Sequence, residues 1–101
     1  MIHYLKMGSE DFQAVLDGRR PYDLRTEDGQ RFAKGDTLVF QEFIPYPPPT
    51  RGGRYTGRTC AVLVLDEPLR DMRWLQPGVA ALAIQPMRDG GDSGPSGGWR
   101  G

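Results

Sequence analysis

LDGRRPYDLR, residues 16–25, crowds Arg19, Arg20, Asp23 and Arg25 around Pro21 and Tyr22 directly after Gly18. The residues before it, SEDFQAVLD from Ser9 to Asp17, read as a short helix. Ser9 can serve as N-cap, Glu10 and Asp11 suit the positive end of the dipole, and Phe12, Val15 and Leu16 fall on one face. Gly18 supplies the stop, because a glycine just past a helix end adopts the left-handed backbone without penalty. Pro21 cannot lie inside a helix and is tolerated at a strand start, so RPYDLR is predicted to be a strand. Alternation then puts Tyr22 and Leu24 on one face, expected to point inward, and Asp23 and Arg25 on the other, expected to point outward.

Working outward from this segment, MIHYLKM at the start alternates as a first strand, with Ile2, Tyr4 and Lys6 opposite His3, Leu5 and Met7. TEDGQRFAKGD holds two glycine turns and TLVFQEF from Thr37 is a third strand. The run IPYPPPTRGGRYTGR, 44–58, is too rich in proline and glycine for regular pairing and is expected to be a long loop. TCAVLVLDE is the most apolar strand, PLRDMRWLQPG holds one helical turn at most, and VAALAIQP closes the domain, with Trp74 expected to cap one end of it. The pattern is of the mostly β (α+β) class: a small antiparallel β-barrel with one short N-terminal helix, spanning 1–87. The remaining RDGGDSGPSGGWRG, 88–101, carries six glycines and is expected to be a disordered tail.

A formal net charge of +0 excludes a global field that would draw the protein to nucleic acid or an anionic membrane. Basic chemistry must therefore be local. Eleven of the thirteen cationic residues are arginine, the side chain suited to bidentate contact with carboxylates and phosphates. A single cysteine, Cys60, excludes an intrachain disulfide and argues against a disulfide-linked partner; one histidine excludes a His-rich metal site. With no apolar run of membrane-spanning length and no signal-peptide core, the expectation is a soluble cytoplasmic protein that uses neither membrane nor cofactor.

Gly18, Arg20, Asp23 and Arg25 fit G-x-[KR]-x-x-[ED]-x-R. With HYLKM, FQAVLDGRRPYDLR, F-x-x-GDTLVFQEF, YTGR and the closing strand near Ala81–Ile84, this resembles the ASCH domain family of the PUA-like superfamily, and its DUF3850 subgroup in particular. The resemblance implies a PUA-like barrel whose charged motif lines a cleft for RNA or a nucleotide-like molecule. Arg20 stands where the family usually has lysine, and Asp23 where it usually has glutamate. ASCH proteins that resemble N4-acetylcytidine amidohydrolases carry lysine and threonine at these two positions. A guanidinium stays protonated and cannot act as a general base, so Arg20 binds or stabilises charge.

The candidate site is therefore Arg20, Asp23 and Arg25, joined by His3, Lys6 and Glu42 and by Tyr55 and Arg58 of RGGRYTGR, where cations flank a ring able to stack on a base. The expected partner is single-stranded RNA or a nucleotide-like small molecule. Two rival functions stand beside this one: hydrolysis of RNA or of a nucleoside amide, and protein interaction through the proline loop PYPPP.

Overall fold

A computed structural model describes residues 1–87; the tail at 88–101 lies outside the described residues. Five strands and one helix follow in the order β1 (Ile2–Gly8), α1 (Ser9–Leu16), β2 (Tyr22–Thr26), β3 (Thr37–Pro45), β4 (Gly53–Val64) and β5 (Val79–Pro86). They form one sheet in the order β1-β3-β4-β5-β2. The β1–β3 pairing is parallel and the others are antiparallel. The sheet is open, in place of the closed barrel expected from the strand count. β1 and β2 are its two ends, and what joins them is a side chain: Arg25 Nη2 of β2 donates to the Lys6 carbonyl of β1 at 3.1 Å.

One face of the curved sheet is packed. Leu5, Met7, Leu38, Phe40, Cys60, Val62, Val64, Leu82 and Ile84 supply its inward side chains, and Phe12 and Val15 of α1 cover them. The alternation read from MIHYLKM holds, with His3, Leu5 and Met7 inward and Ile2, Tyr4 and Lys6 outward. Burying a side chain of the size of Phe12 stabilises the fold by about 1.5–3 kcal/mol, so this short helix is held by its packing face.

The helix stop is as predicted and its start is not. Gly18 has φ 79, Gly18 N–H donates to the Val15 carbonyl at 3.1 Å and Arg19 N–H to the Ala14 carbonyl at 2.9 Å. These two bonds make a Schellman closure. It turns the chain back so that Arg20 follows four residues after Leu16, the last residue of the helix. At the other end Gly8 is the N-cap, and Ser9 is already helical, its hydroxyl making no capping hydrogen bond.

The expected long loop at 44–58 is mostly a hairpin. β3 runs on to Pro45 and β4 begins at Gly53, leaving only the tip between them irregular. Gly53 makes this pairing possible, since a Cβ there would run into the Ile44 carbonyl and the Phe43 ring. Gly53→Ala is accordingly expected to destabilise the domain by about 1–3 kcal/mol through overpacking, read as a lower urea midpoint with an unchanged slope.

Candidate functional site

Strand β2 is turned over relative to the sequence expectation. Asp23 is the buried residue, 2% exposed, whereas Tyr22 and Leu24 are each 49% exposed. The pairing with β5 explains the inversion. Asp23 stands opposite buried Leu82, while Tyr22 and Leu24 stand opposite Ala83 and Ala81 on the outer face. The charged residues of the motif thus face inward, toward the gap between the sheet's two ends.

Two arginines make that burial tenable. Arg20 Nη2 donates to Asp23 Oδ1 at 3.2 Å and Arg25 Nε to Asp23 Oδ2 at 2.5 Å. A buried carboxylate needs such partners, because desolvation alone would expel it. Arg20 also lies 3.6 Å from Asp11 of α1. Its Nε is buried without a hydrogen-bond partner. Each guanidinium rests on a ring: Arg20 lies 4.9 Å from the centre of Tyr22 and Arg25 lies 5.6 Å from that of Phe40.

A second ion cluster sits further along β3, and a bulge builds it. Gln41 pairs with Thr59 but Phe43 pairs with Tyr55, so three β4 residues, Thr56, Gly57 and Arg58, oppose Glu42 alone. Gly57 takes φ 94, which an L side chain rarely adopts. The bulge aims both neighbours at one carboxylate. Thr56 Oγ1 donates to Glu42 Oε1 at 2.7 Å, and Arg58 donates through Nε to Oε1 at 2.9 Å and through Nη2 to Oε2 at 3.3 Å. These bonds, that from Arg58 first and that from Thr56 second, hold the Glu42 carboxyl down at about 2. Arg58 reaches α1 as well, donating to Gln13 at 3.2 Å and lying 4.9 Å from the centre of the Phe12 ring.

The other candidates divide. Lys6 Nζ lies 4.4 Å from the centre of the Phe43 ring, which meets the exposed Tyr55 edge-on at 5.1 Å. Lys6 also supplies the carbonyl that Arg25 holds, so it joins the two sides of the cluster. His3 belongs to a different network. It is buried, with Nε2 2.8 Å from Asp36 Oδ2, Nδ1 3.0 Å from Gln30 Oε1, and its ring against Phe32. Burial works to raise the Asp36 carboxyl, but bonds from His3, the Met1 amino group and the Ala33 N–H outweigh it and the net direction is down. Cys60 is a buried free thiol pushed up to about 12 by desolvation, which leaves it inert as a nucleophile.

Sequence reasoning missed Asp11, Gln13 and Thr56 as members of the charged clusters, and Phe12 and Phe40 as the rings beneath them. It also missed Glu27, which Arg70 grips bidentately at 2.6 and 2.8 Å, tying the loop before β3 to that before β5. That grip, with the Phe32 N–H, holds the Glu27 carboxyl at about 2 despite its burial. Thr56 had a signal, since a glycine between two polar residues in a strand marks a bulge. Arg70 had none.

Two grooves lie beside the clusters, the apolar one sharing with them the Tyr22 ring on which Arg20 rests. A polar one of about 510 Å³ is lined by Glu27, Asp28, Arg31, Arg70 and Asp71. An apolar one of about 480 Å³ lies on the outer face of β2 and β5 and includes Trp74, which is 64% exposed and so does not cap a core as expected. Among the described residues no three His, Cys, Asp or Glu side chains gather to hold a metal, and no helix is long and apolar enough to cross a membrane.

A family model described as a domain of unknown function, DUF3850, matches residues 2–83. The chain belongs to the DUF3850 family. The match takes in every strand and the helix, stopping inside β5. No curated protein matches the chain.

Proposed function

We propose that the surface around Arg20, Asp23, Arg25, Glu42 and Arg58 is the ligand site of a PUA-like domain of ASCH type, and that it takes an unpaired RNA base or a nucleotide-like small molecule. The observation that supports this most is that four cations each lie against an aromatic ring, Lys6 and Arg25 on the two end strands, Arg20 in the turn between α1 and β2, and Arg58 on the central strand β4. Nucleotides present a ring to stack and an anion to hold, and single-stranded bases are recognised by that pairing.

Charge balance narrows the ligand. Arg20 and Arg25 are offset by Asp23 and Asp11, and Arg58 is offset by Glu42. Among the described residues Lys6 has no carboxylate within 4.0 Å, so the cluster offers about one unspent positive charge. One phosphate suits this better than a long strand. Arg20 is paired with carboxylates on two sides and, as a guanidinium, donates hydrogen bonds and supplies no base, which favours binding over hydrolysis.

The test is a titration of nucleoside monophosphates and a short single-stranded RNA between about 50 and 200 mM salt, where the RNA slope reports about −0.7 per phosphate neutralised. The expected slope corresponds to about one phosphate. Lys6→Ala and Tyr55→Ala should each weaken binding by about fivefold or more, the loss of one cation or stacking contact. No binding of either ligand class, with both substitutions silent, would reject the proposal.

A further inference from the structure

The only helix among the described residues, α1, packs on the inner face of the sheet. The outward side chains of β1 and β3 are all exposed or half-exposed. Strand register sorts this outer face into rows. Tyr4 stands beside Val39; Lys6, Gln41 and Thr59 make a polar row one step along; Phe43 and Tyr55 make an aromatic row beyond it. Gly8, beside Phe43, adds no side chain there. Two rings, Tyr4 at 66% and Tyr55 at 55% exposure, are therefore set about 13 Å apart along the strands with a cation between them.

The charge on this face has one sign. Glu42 is the only carboxylate in β1, β3, β4 and β5, and it is buried on the inner side. Lys6 Nζ lies 4.4 Å from the centre of the Phe43 ring. Among the described residues it has no carboxylate within 4.0 Å. Open rings with a single unspent ammonium complement an anion that itself carries rings.

We propose that this face binds a short unpaired stretch of RNA, with one base stacked on Tyr4, another on Tyr55 and a phosphate between them on Lys6. Gln41 and Thr59, in the row of Lys6, supply hydrogen-bonding groups for the sugar and the base edges. A base stacks on one ring only, so filling both takes a strand. A free nucleotide has one base, and a duplex keeps its bases stacked on one another. The inference rests on the nucleotide reading above and extends it from one base to several. Lys6 links the two surfaces, because Arg25 holds its carbonyl while its ammonium lies on the outer face. With one lysine, affinity for the strand comes from stacking more than from charge. A second copy of the chain suits the face less well, since it would set each lysine against a surface with no carboxylate.

The test titrates the full chain with adenosine monophosphate, a single-stranded oligoadenylate hexamer and a self-complementary RNA duplex, following the tyrosine ring signals by nuclear magnetic resonance. The hexamer should shift the rings of both Tyr4 and Tyr55, and the monophosphate that of Tyr55 alone. Tyr4→Ala should weaken hexamer binding by about fivefold or more, the worth of one stacked base, and Tyr4→Phe should restore it. Monophosphate binding, which uses the charged site alone, should be the same in both variants. The wild-type ring shifts carry the test even where Tyr4→Ala folds poorly. If the monophosphate binds but Tyr4→Ala is silent toward the hexamer, or the hexamer leaves the Tyr4 ring unmoved, this inference is overturned and the nucleotide site stands. Binding of neither overturns both. A duplex that binds as tightly as the hexamer would rule out stacking, and a self-associated wild type made monomeric by Tyr4→Ala would assign the face to a second copy; either result overturns the inference.

Discussion

Asp23→Ala is expected to lower stability by about 3 kcal/mol or more, the loss seen when one member of a buried ion pair is removed and its partner is left uncompensated. Here two partners are left, Arg20 and Arg25, with side chains 21% and 23% exposed. They would face each other across the vacated site, like charges in a partly dry setting. For a domain of this size the melting temperature should fall by about 12–24 °C. Asp23→Asn keeps the shape and part of the hydrogen bonding and should lose less. Arg25→Leu added to Asp23→Ala should recover part of the deficit, because it removes the uncompensated cation together with its desolvation penalty. An exposed i, i+2 pair on an outward strand face would instead be worth less than about 1 kcal/mol. Thermal unfolding of the three variants separates the two arrangements.

Acid should unfold the protein through Glu42 and Glu27. Both carboxyls ordinarily titrate near 4.5 and are held at about 2 in the fold, the one by Arg58 and Thr56 and the other by Arg70. A depressed folded value means that the unfolded chain takes up protons first. Their contribution is therefore complete above pH 4.5 or so and is lost as the pH falls toward 2. With screening by solvent at the half-exposed Arg58 and at the rim of Arg70, a shift of this size corresponds to about 1–2 kcal/mol for each group. Urea midpoints measured downward from neutral pH should drop steeply across that window. Glu42→Gln should lose about 1–2 kcal/mol at neutral pH and show a visibly shallower acid dependence. An acid profile identical to wild type would mean that the Glu42–Arg58 contact contributes nothing in solution.

What the sequence discloses and what it hides follow from distance along the chain. The Schellman turn at Gly18, the packing face of α1 and the alternation of β1 depend on residues within a few positions of one another, and each is legible. The bulge that aims Thr56 and Arg58 at Glu42 left a trace in Gly57, but the surrounding prolines and glycines read as a loop. The pairing of Phe43 with Tyr55 becomes possible only because Gly53 gives the Phe43 ring room. The direction of β2 was hidden for a different reason. Its alternation is plain, yet which face is inward depends on its register against β5, more than fifty residues away, where Leu82 meets Asp23 and two alanines meet Leu24 and Tyr22. The rule that apolar residues face inward then chooses the wrong side. The outward apolar pair became one wall of a groove, and the ion pair became part of the interior. The same distance concealed the open ends of the sheet, since the five strand patterns are equally compatible with closure.

The arginines around buried Asp23 and around Glu42 are proposed to form one ligand surface, to which β2, β4 and the turn after α1 contribute. The most direct measurement is a titration of the isotopically labelled chain with a nucleoside monophosphate, following the side-chain Nε–H signals of its arginines. Saturable shifts concentrated on Arg20, Arg25 and Arg58, with matching changes at Lys6 and Tyr55, are the predicted result. Shifts that gather instead on Arg31 and Arg70 at the polar groove, or signals that do not move to the limit of ligand solubility, would contradict it.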